Sequence, residues 1–314
     1  MFNLIIPIYL NEQNIEELIK SLVSLNIKLD KKLFCTFVID GSPDKSYEYI
    51  CKYIKFSKLK HDILIHSRNY GSFAAIRSGL TYSKGKYFAV MSADLQEPIS
   101  LIEKFFKTLS SNNYDILVGV RKSRNDPFLD KFFSNIYWFF YRKFINQDIP
   151  KGGVDVFACN EEFKNHLVSF SESRSSLIAL IYWLGFRRKE LKYSRQARIH
   201  GKSSWTFKKK ISYMADSLFS FSSLPISVII FVGFFGSILL IIASLVIFYM
   251  KMKGLINISG YTTIILTIML LGAVNLFSIG IVGAYCWRAY ENSKNRPQAI
   301  LINSNRDGFR EKII

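Results

Sequence analysis

Residues 87–98 read YFAVMSADLQEP, a short apolar run that is followed by polar residues and a proline. Its first five residues are aromatic or apolar, which predicts a buried strand that ends near Ser92. Ligands of open α/β sheets bind beyond the carboxyl ends of the strands, which is where Asp94 and Gln96 are expected. Two oxygen-bearing side chains at this spacing are suited to Mg²⁺ or Mn²⁺ that bridges a diphosphate. The same sequence is also typical of an ordinary turn between a strand and a helix.

The alternation of short apolar runs with amphipathic stretches continues through residues 1–120. Runs of strand length stand at 3–7, 34–39, 62–66, 87–92 and 115–119, and runs of helical length stand at 14–25, 46–56, 73–82 and 99–110. Strands that alternate with helices at this spacing predict an α/β fold with a mostly parallel sheet and helices on both faces.

Three more of the predicted strands are followed by polar loops. They read IPIYLNE at 6–12, VIDGSPD at 38–44 and RNYGSFAA at 68–75. Gly41 permits close approach of a backbone, and Asp40 offers an acceptor to a base or a ribose. Each loop alone is as compatible with a structural turn as with a site, because Asp-Gly and Glu-Pro are common turn sequences. Four such loops in series at the same ends of the strands favour a binding site.

Composition narrows the class of protein. The 314 residues include 42 Lys and Arg against 24 Asp and Glu, a net charge of +18, and 49% are hydrophobic. This apolar content excludes a disordered chain. The four Cys are scattered without a C-x-x-C pair, which excludes a disulfide scaffold and indicates reduced thiols. The charge predicts an anionic partner, whereas a mean hydropathy of +0.15 and 27 Phe predict contact with lipid.

Two long stretches contain no Asp, Glu, Lys, Arg or His. They span residues 225–250 and 260–287, which are 26 and 28 residues long. At ~1.5 Å per residue each is longer than the ~30 Å hydrocarbon core, so two transmembrane helices are predicted. The loop between them holds only Lys251 and Lys253 as basic residues, and the positive-inside rule therefore predicts both termini in the cytosol.

The segments around the predicted spans are polar. Residues 186–210 contain ten Lys and Arg, and apolar residues recur at helical spacing through 211–224. This pattern predicts an interfacial helix on an anionic leaflet of the lipid bilayer. Residues 289–314 are expected to form a loosely ordered tail. Gly272, Gly280 and Gly283 would allow close helix approach, within one chain or in a homo-oligomer.

The four loops also carry a family resemblance. The chain resembles family 2 glycosyltransferases, in the polyprenyl-phosphate branch related to dolichol-phosphate mannose synthase and the bacterial O-antigen glucosyl carriers. That branch shows V-P-x-Y-N-E, V-D-D-G-S-x-D, R-N-x-G-x-x-x-A, D-A-D-L-Q-D-P, G-G-x-D-F and R-x-x-G-x-S-K before two transmembrane helices. Counterparts occur here in the same order from residue 3 to about residue 290.

The resemblance implies an organisation for the whole chain. It implies a cytosolic GT-A catalytic domain over 1–205, an interfacial amphipathic helix over 206–224, a transmembrane hairpin over 225–288 and a cytosolic tail over 289–314. The expected location is the bacterial inner membrane.

The implied activity is inverting transfer of a sugar, a hexose by expectation, from a nucleotide sugar to undecaprenyl phosphate or another polyprenyl phosphate. A UDP-sugar is the favoured donor, and the product would serve modification of cell-envelope glycans. A phosphate monoester has its second pKa near ~6, so the acceptor is largely a dianion at pH 7 and needs little help from a general base.

The resemblance also implies roles for individual residues. Asp155 falls at the position of the proposed catalytic carboxylate. The nucleotide would be contacted by Pro7, Tyr9, Glu12, Asp40 and Ser92. The metal, Mg²⁺ or Mn²⁺, would be held by Asp94 and Gln96, and the phosphates by Arg121, Arg198 and Lys202.

The sequence departs from the branch at four positions. Leu10 is inserted in the first motif, Ile39 and Ser92 each replace an aspartate, and Ser204 stands where lysine is usual. These departures leave open a catalytically degenerate membrane scaffold of the same fold. A nucleic-acid-binding membrane protein is a further alternative, although the basic residues concentrate next to the predicted spans rather than in a stripe with aromatics. A processive polysaccharide synthase is disfavoured by the absence of Q-x-x-R-W and by the small number of spans.

Overall fold

The computed structural model describes residues 1–122, 142, 147–150, 154–170, 176–196, 216–217, 222, 224–253, 260–294 and 296–302. Its strands are β1 (Phe2–Ile8), β2 (Leu33–Ile39), β3 (Lys60–His66), β4 (Tyr87–Val90), β5 (Ile116–Arg121), β6 (Val154–Asn160), β7 (Arg188–Tyr193) and β8 (Leu301–Ile302). Its α-helices are α1 (Ile15–Lys28), α2 (Ser46–Ile54), α3 (Ser72–Tyr82), α4 (Ile99–Leu109), α5 (Glu161–Ser169), α6 (Leu177–Trp183), α7 (Leu224–Met252) and α8 (Tyr261–Ser293).

The strands form one sheet in the order β7-β5-β6-β4-β1-β2-β3-β8. Neighbours β3, β2, β1 and β4 are parallel, and so are β5 and β7. Strand β6 runs antiparallel to β4 and β5, and β8 runs antiparallel to β3. The predicted α/β fold with a mostly parallel sheet is confirmed. The five strands predicted within residues 1–120 are all present, whereas β6, β7 and β8 were not predicted.

Helices cover both faces of the sheet, as predicted. In β1, Leu4, Ile6 and Ile8 belong to one buried cluster with residues of α1, α2 and α4. Ile5 points to the other face, where its cluster includes residues of α3, α5 and α6. Side chains of a strand alternate between faces, so a strand buried on both sides needs a continuous apolar run. The sequence LIIPI in β1 meets that requirement.

The direction of the strands determines which residues can meet. All strands except β6 and β8 point the same way, so β1 to β5 and β7 present their carboxyl ends at one edge of the sheet. Because β6 is antiparallel, it starts at that edge, next to the end of β4. The loops singled out in the sequence therefore share this edge, which we call the carboxyl edge.

The two uncharged stretches of the sequence coincide with the long helices α7 and α8. Among the residues for which a structure is described, no helix meets the length and hydropathy needed to cross a bilayer. The predicted transmembrane hairpin is therefore not confirmed. Most of the predicted interfacial helix over 206–224 lies outside the described residues.

The expectation of a loosely ordered tail from residue 289 is wrong for its described part. Helix α8 continues to Ser293, and β8 pairs with β3 through the register pairs His66 with Leu301 and Ile65 with Ile302. The Ser67 amide also donates to the Ile300 carbonyl at 3.0 Å. Leu301 and Ile302 are apolar, so an edge strand removes them partly from water, which a composition average over residues 289–314 does not indicate.

Candidate active site

The loops after β1 and β2 are joined by a hydrogen-bond network centred on Asp44. Its carboxylate accepts from the Ser42 hydroxyl at 2.6 Å, the Ser46 hydroxyl at 2.9 Å and the Glu12 amide at 3.0 Å. Burial raises the pKa of the Asp44 carboxyl, but these hydrogen bonds outweigh that effect and leave the pKa below its usual value. The Glu12 carboxylate in turn accepts from the Lys45 amide at 3.0 Å, at the start of α2.

The inserted Leu10 joins this network in a left-handed backbone conformation. Its φ angle is 54°, in the left-handed region, and its amide donates to the Ser42 hydroxyl at 2.8 Å. Pro7 lies in β1 opposite Val38, and Tyr9 follows the strand as a half-buried side chain. Pro7, Tyr9 and Glu12, all predicted nucleotide contacts, thus lie at or beyond the end of β1.

Asp40 follows β2 and is buried, with its carboxylate directed at the loop after β3. One oxygen accepts from the Tyr70 amide at 2.8 Å and lies 2.8 Å from His66 Nδ1, and the other accepts from the Gly71 amide at 2.7 Å. His66 Nε2 lies 2.9 Å from the Ser78 hydroxyl in α3. Asp40, predicted to contact a base or ribose, therefore also fixes the loop that starts α3.

Gly41 brings the loops after β2 and β3 into direct contact. Its φ is +57°, and a Cβ atom there would lie 2.3 Å from the carbonyl carbon of Arg68 and 2.5 Å from the Asn69 nitrogen. Only glycine fits this close approach, which agrees with the role expected for Gly41 from the sequence.

The loop after β4 contains both predicted metal ligands, Asp94 and Gln96. Their side chains are buried, and so is that of Glu97. Both the amide and the hydroxyl of Ser92 donate to one carboxylate oxygen of Glu97. The Asp94 carboxylate accepts a long hydrogen bond of 3.4 Å from the backbone amide of Gln96. Leu95 between them has a φ of 55°, so this loop also contains a left-handed residue.

Gln96 is bound to the segment that follows β7. The Gln196 amide donates to the Gln96 carbonyl at 2.9 Å, and the Gln96 side-chain amide donates to the Gln196 carbonyl at 3.4 Å. The guanidinium of Arg195 donates to the side-chain oxygen of Gln96. The oxygen that the sequence assigned to a metal thus faces a cationic side chain.

These contacts decide how the residues fit a divalent ion. Asp94 fits, because Mg²⁺ is commonly held by one or two carboxylates, with substrate phosphates and water completing its shell. Gln96 does not fit in this arrangement, since its side-chain oxygen is hydrogen-bonded to Arg195. Among the residues described, no three His, Cys, Asp or Glu side chains form a group that could hold a metal.

The remaining predicted residues divide into described and undescribed positions. Arg121 ends β5 beside the end of β7, where it pairs in register with Tyr193. Asp155 lies in β6 at the carboxyl edge, where the register with β5 shifts between Gly119 and Val120. Arg198 and Lys202 lie outside the described residues. The fold therefore brings Asp40, Ser92, Asp94, Arg121 and Asp155 to one edge of the sheet.

Sequence reasoning missed three residues of this edge. Glu97 lies within the stretch 87–98 and His66 at the end of a predicted strand, but burial of an ionisable side chain is not visible in a sequence. Arg195 belongs to the basic segment 186–210, whose composition indicates only attraction to an anionic leaflet. Its contact with Gln96 joins residues 99 positions apart, a separation that no local pattern reports.

Comparison with known proteins identifies the family of this chain. The family model described as "Glycosyl transferase family 2" matches residues 3–161. "Putative glycosyltransferase CsbB" of Bacillus subtilis (strain 168) is 31% identical over 313 residues, covering 97% of this chain and 92% of the relative. "SfII prophage-derived bactoprenol glucosyl transferase" of Shigella flexneri is 25% identical over 306 residues, covering 97% of this chain and 98% of the relative.

Among solved structures, glucosyl-3-phosphoglycerate synthase from Mycobacterium tuberculosis in complex with Mg²⁺ and uridine-diphosphate aligns with a TM-score of 0.48 at 13% identity. The alignment covers 69% of this chain and 78% of that chain. The family model spans the sheet from β1 through β6 and so includes the loops after β1 to β5. The chain therefore belongs to glycosyl transferase family 2 and is a glycosyltransferase.

Proposed function

We propose that this glycosyltransferase moves a sugar from a nucleotide sugar to a polyprenyl phosphate, with inversion at the anomeric carbon. The observation that carries the proposal is the carboxyl edge, where the buried Asp94 lies on the loop joined to Arg195, with Arg121 at the end of β5. Cationic side chains suit a leaving nucleoside diphosphate directly, and a carboxylate suits it through a divalent ion. A UDP-sugar, with a hexose as the sugar, is the donor proposed.

The reaction is a single displacement. A phosphate oxygen of the acceptor attacks the anomeric carbon, a carbon–oxygen bond forms, and the bond to the nucleoside diphosphate breaks on the opposite side. The acceptor phosphate is largely dianionic at pH 7, so most of the rate comes from positioning and from stabilising the leaving group. Asp155 would orient the acceptor phosphate or accept its last proton. Arg198 and Lys202 are proposed as further phosphate contacts.

The proposed cofactor is Mg²⁺ or Mn²⁺, held by the Asp94 carboxylate and the diphosphate oxygens. When bound, it would neutralise the charge that develops on the departing diphosphate. The chain's own part is to present the buried Asp94 carboxylate on a loop that is fixed by Ser92 and Glu97.

The lipid acceptor is proposed from the relatives and from the C-terminal helices. Relatives whose names state bactoprenol glucosyl transfer cover almost the whole chain. Helices α7 and α8 carry apolar side chains that are more than 60% exposed, including Phe231, Leu239 and Ile268. A bilayer would cover such side chains. The proposed location is the bacterial inner membrane, with both termini and the catalytic edge in the cytosol and the product used on cell-envelope glycans.

The test is transfer by the purified full-length chain in liposomes that contain undecaprenyl phosphate, supplied with radiolabelled UDP-glucose and other UDP-hexoses. Label should appear in the organic-solvent extract together with released UDP. The Asp94→Ala variant should lose at least ~100-fold in rate, because charge stabilisation at the leaving group is lost. Asp62→Ala is the matched control, since Asp62 is an exposed aspartate in β3. Undiminished transfer by Asp94→Ala would refute the role given to Asp94, and absence of lipid-linked label with every donor would refute the acceptor.

A further inference from the structure

We infer that Gln96 is a positioning residue, which fastens Arg195 and Gln196 to the loop of Asp94, and that it is not a ligand of the metal. The inference rests on the proposed function, which places the divalent ion and the donor diphosphate at the loop of Asp94. It departs from the expectation drawn from the sequence, in which Asp94 and Gln96 together hold the ion.

The first argument is the number of contacts that Gln96 makes to one segment. Its main-chain carbonyl accepts from the Gln196 amide, its side-chain amide donates to the Gln196 carbonyl, and its side-chain oxygen accepts from Arg195. A carboxamide is suited to this work because it carries a donor and an acceptor on one planar group. A carboxylate at this position would have no donor for the Gln196 carbonyl.

The second argument concerns charge. A divalent ion bound to the side-chain oxygen of Gln96 would lie within a few ångströms of the Arg195 guanidinium, and two like charges at that distance repel each other strongly away from bulk water. Gln96 is buried, being 8% exposed, whereas Arg195 is exposed, so solvent weakens this repulsion at the guanidinium without removing it. The arrangement in the structure avoids the conflict, because the side-chain oxygen of Gln96 is bound to Arg195 and the ion would be held by the Asp94 carboxylate instead.

The third argument concerns the position in the fold of residues 195 and 196, which Gln96 binds. Residues 195 and 196 follow β7, whose last residue Tyr193 is buried and accepts from the Lys122 amide at 2.8 Å. The Gln96 contacts hold the outer strands β5 and β7 to the loop of the central strand β4 at the carboxyl edge. A cationic side chain is thereby held beside the Asp94 loop, where the diphosphate of the donor is proposed to bind.

The experiment compares Gln96→Met, Arg195→Met and the double variant in the full-length chain. Mn²⁺ affinity is measured by electron paramagnetic resonance with UDP present. The kcat and KM for the donor are measured in liposomes, and thermal unfolding is measured without metal. We expect each single variant to lower kcat/KM about 10- to 100-fold while Mn²⁺ affinity stays within about twofold. The double variant should be no worse than either single variant, because both remove the same contact. Lys60→Met, an exposed basic residue of β3, should change none of these quantities.

Two results would overturn the inference. One is a loss of Mn²⁺ affinity of tenfold or more in Gln96→Met that Arg195→Met does not share. The other is full additivity of the two substitutions in metal-free unfolding. If Gln96→Met fails to fold, Arg195→Met decides alone, since a metal-ligating Gln96 predicts unchanged or tighter Mn²⁺ binding with unchanged kcat/KM. Asp94→Asn tests the proposed function separately from the inference about Gln96. Retained Mn²⁺ affinity in this variant would contradict the metal role of Asp94, while the substitution itself leaves the Gln96 contacts intact.

Discussion

At the scale of single residues, the carboxyl edge depends on buried polar groups that bind one another across loops. Asp40 is 2% exposed, and both of its oxygens are engaged by the loop after β3. A buried carboxylate is tolerated only when hydrogen bonds replace the water it loses, and backbone amides supply them here. The Asp-Gly pair at 40–41 thus serves two tasks, because Asp40 binds the loop and Gly41 allows it to approach.

Gly41→Ala tests this close approach. The new Cβ atom would meet the backbone at Arg68, and the positive φ adds strain for any residue with a side chain. We expect the free energy of unfolding to fall by ~2 kcal/mol or more, measured by urea denaturation of the purified chain. Gly185→Ala is the matched control, because Gly185 also has a positive φ but no atom within 4 Å of its Cβ position. Equal losses in the two variants would contradict the contact between the loops.

At the scale of elements, the amino ends of the outer strands are joined by another buried acid. Asp115, just before β5, accepts two hydrogen bonds from the Arg187 guanidinium at 2.8 and 2.9 Å and one from the Asn160 side chain at 3.0 Å. Arg187 precedes β7 and Asn160 ends β6, so one carboxylate connects three neighbouring strands. The hydrogen bonds from Arg187 hold the pKa of Asp115 below its usual value, although burial opposes them.

This linkage predicts a pH dependence. A carboxyl whose pKa is lower in the folded state contributes stability that is fully present above its unfolded pKa and is lost as the pH falls through the folded pKa. The Asp115 contribution should therefore be complete at pH 6 and decline progressively as the pH falls below about 4, through the lowered pKa of the folded state. We expect the melting temperature of the parent chain to fall more steeply between pH 5 and pH 3 than that of Asp115→Asn. Parallel curves for the two proteins would contradict the role of this carboxylate.

At the scale of the whole molecule, the chain returns to the same sheet after the long helices α7 and α8. Strand β8 lies at the edge next to β3, and the Ile300 carbonyl binds the amide of Ser67, the residue that follows His66. A segment near the C-terminus therefore adjoins the loop that Asp40 holds. An added edge strand also covers backbone groups of β3 that a sheet ending there would expose.

Truncation after residue 299 tests this connection. Removing the strand takes away the acceptor of the Ser67 amide, so hydrogen exchange of the peptide around residues 65–67 should become at least ~10-fold faster. Exchange in β1, at the centre of the sheet, should stay as slow as in the full-length chain. Unchanged exchange at Ser67 would show that β8 does not protect the edge of β3.

The α/β fold, the parallel strands of residues 1–120 and the loops of the candidate site can all be predicted from the amino-acid sequence alone. Those features follow from apolar periodicity and from Gly, Asp and Pro at strand ends, which act over a few residues. Three features depend on the tertiary structure: Gln96 faces Arg195, Glu97 binds Ser92, and β8 closes the sheet beside β3. The contacts of Gln96 and β8 join residues about 100 or more positions apart. The contact between Ser92 and Glu97 depends on how a buried loop folds back on itself. Packing, rather than local sequence pattern, determines which polar groups are buried and paired.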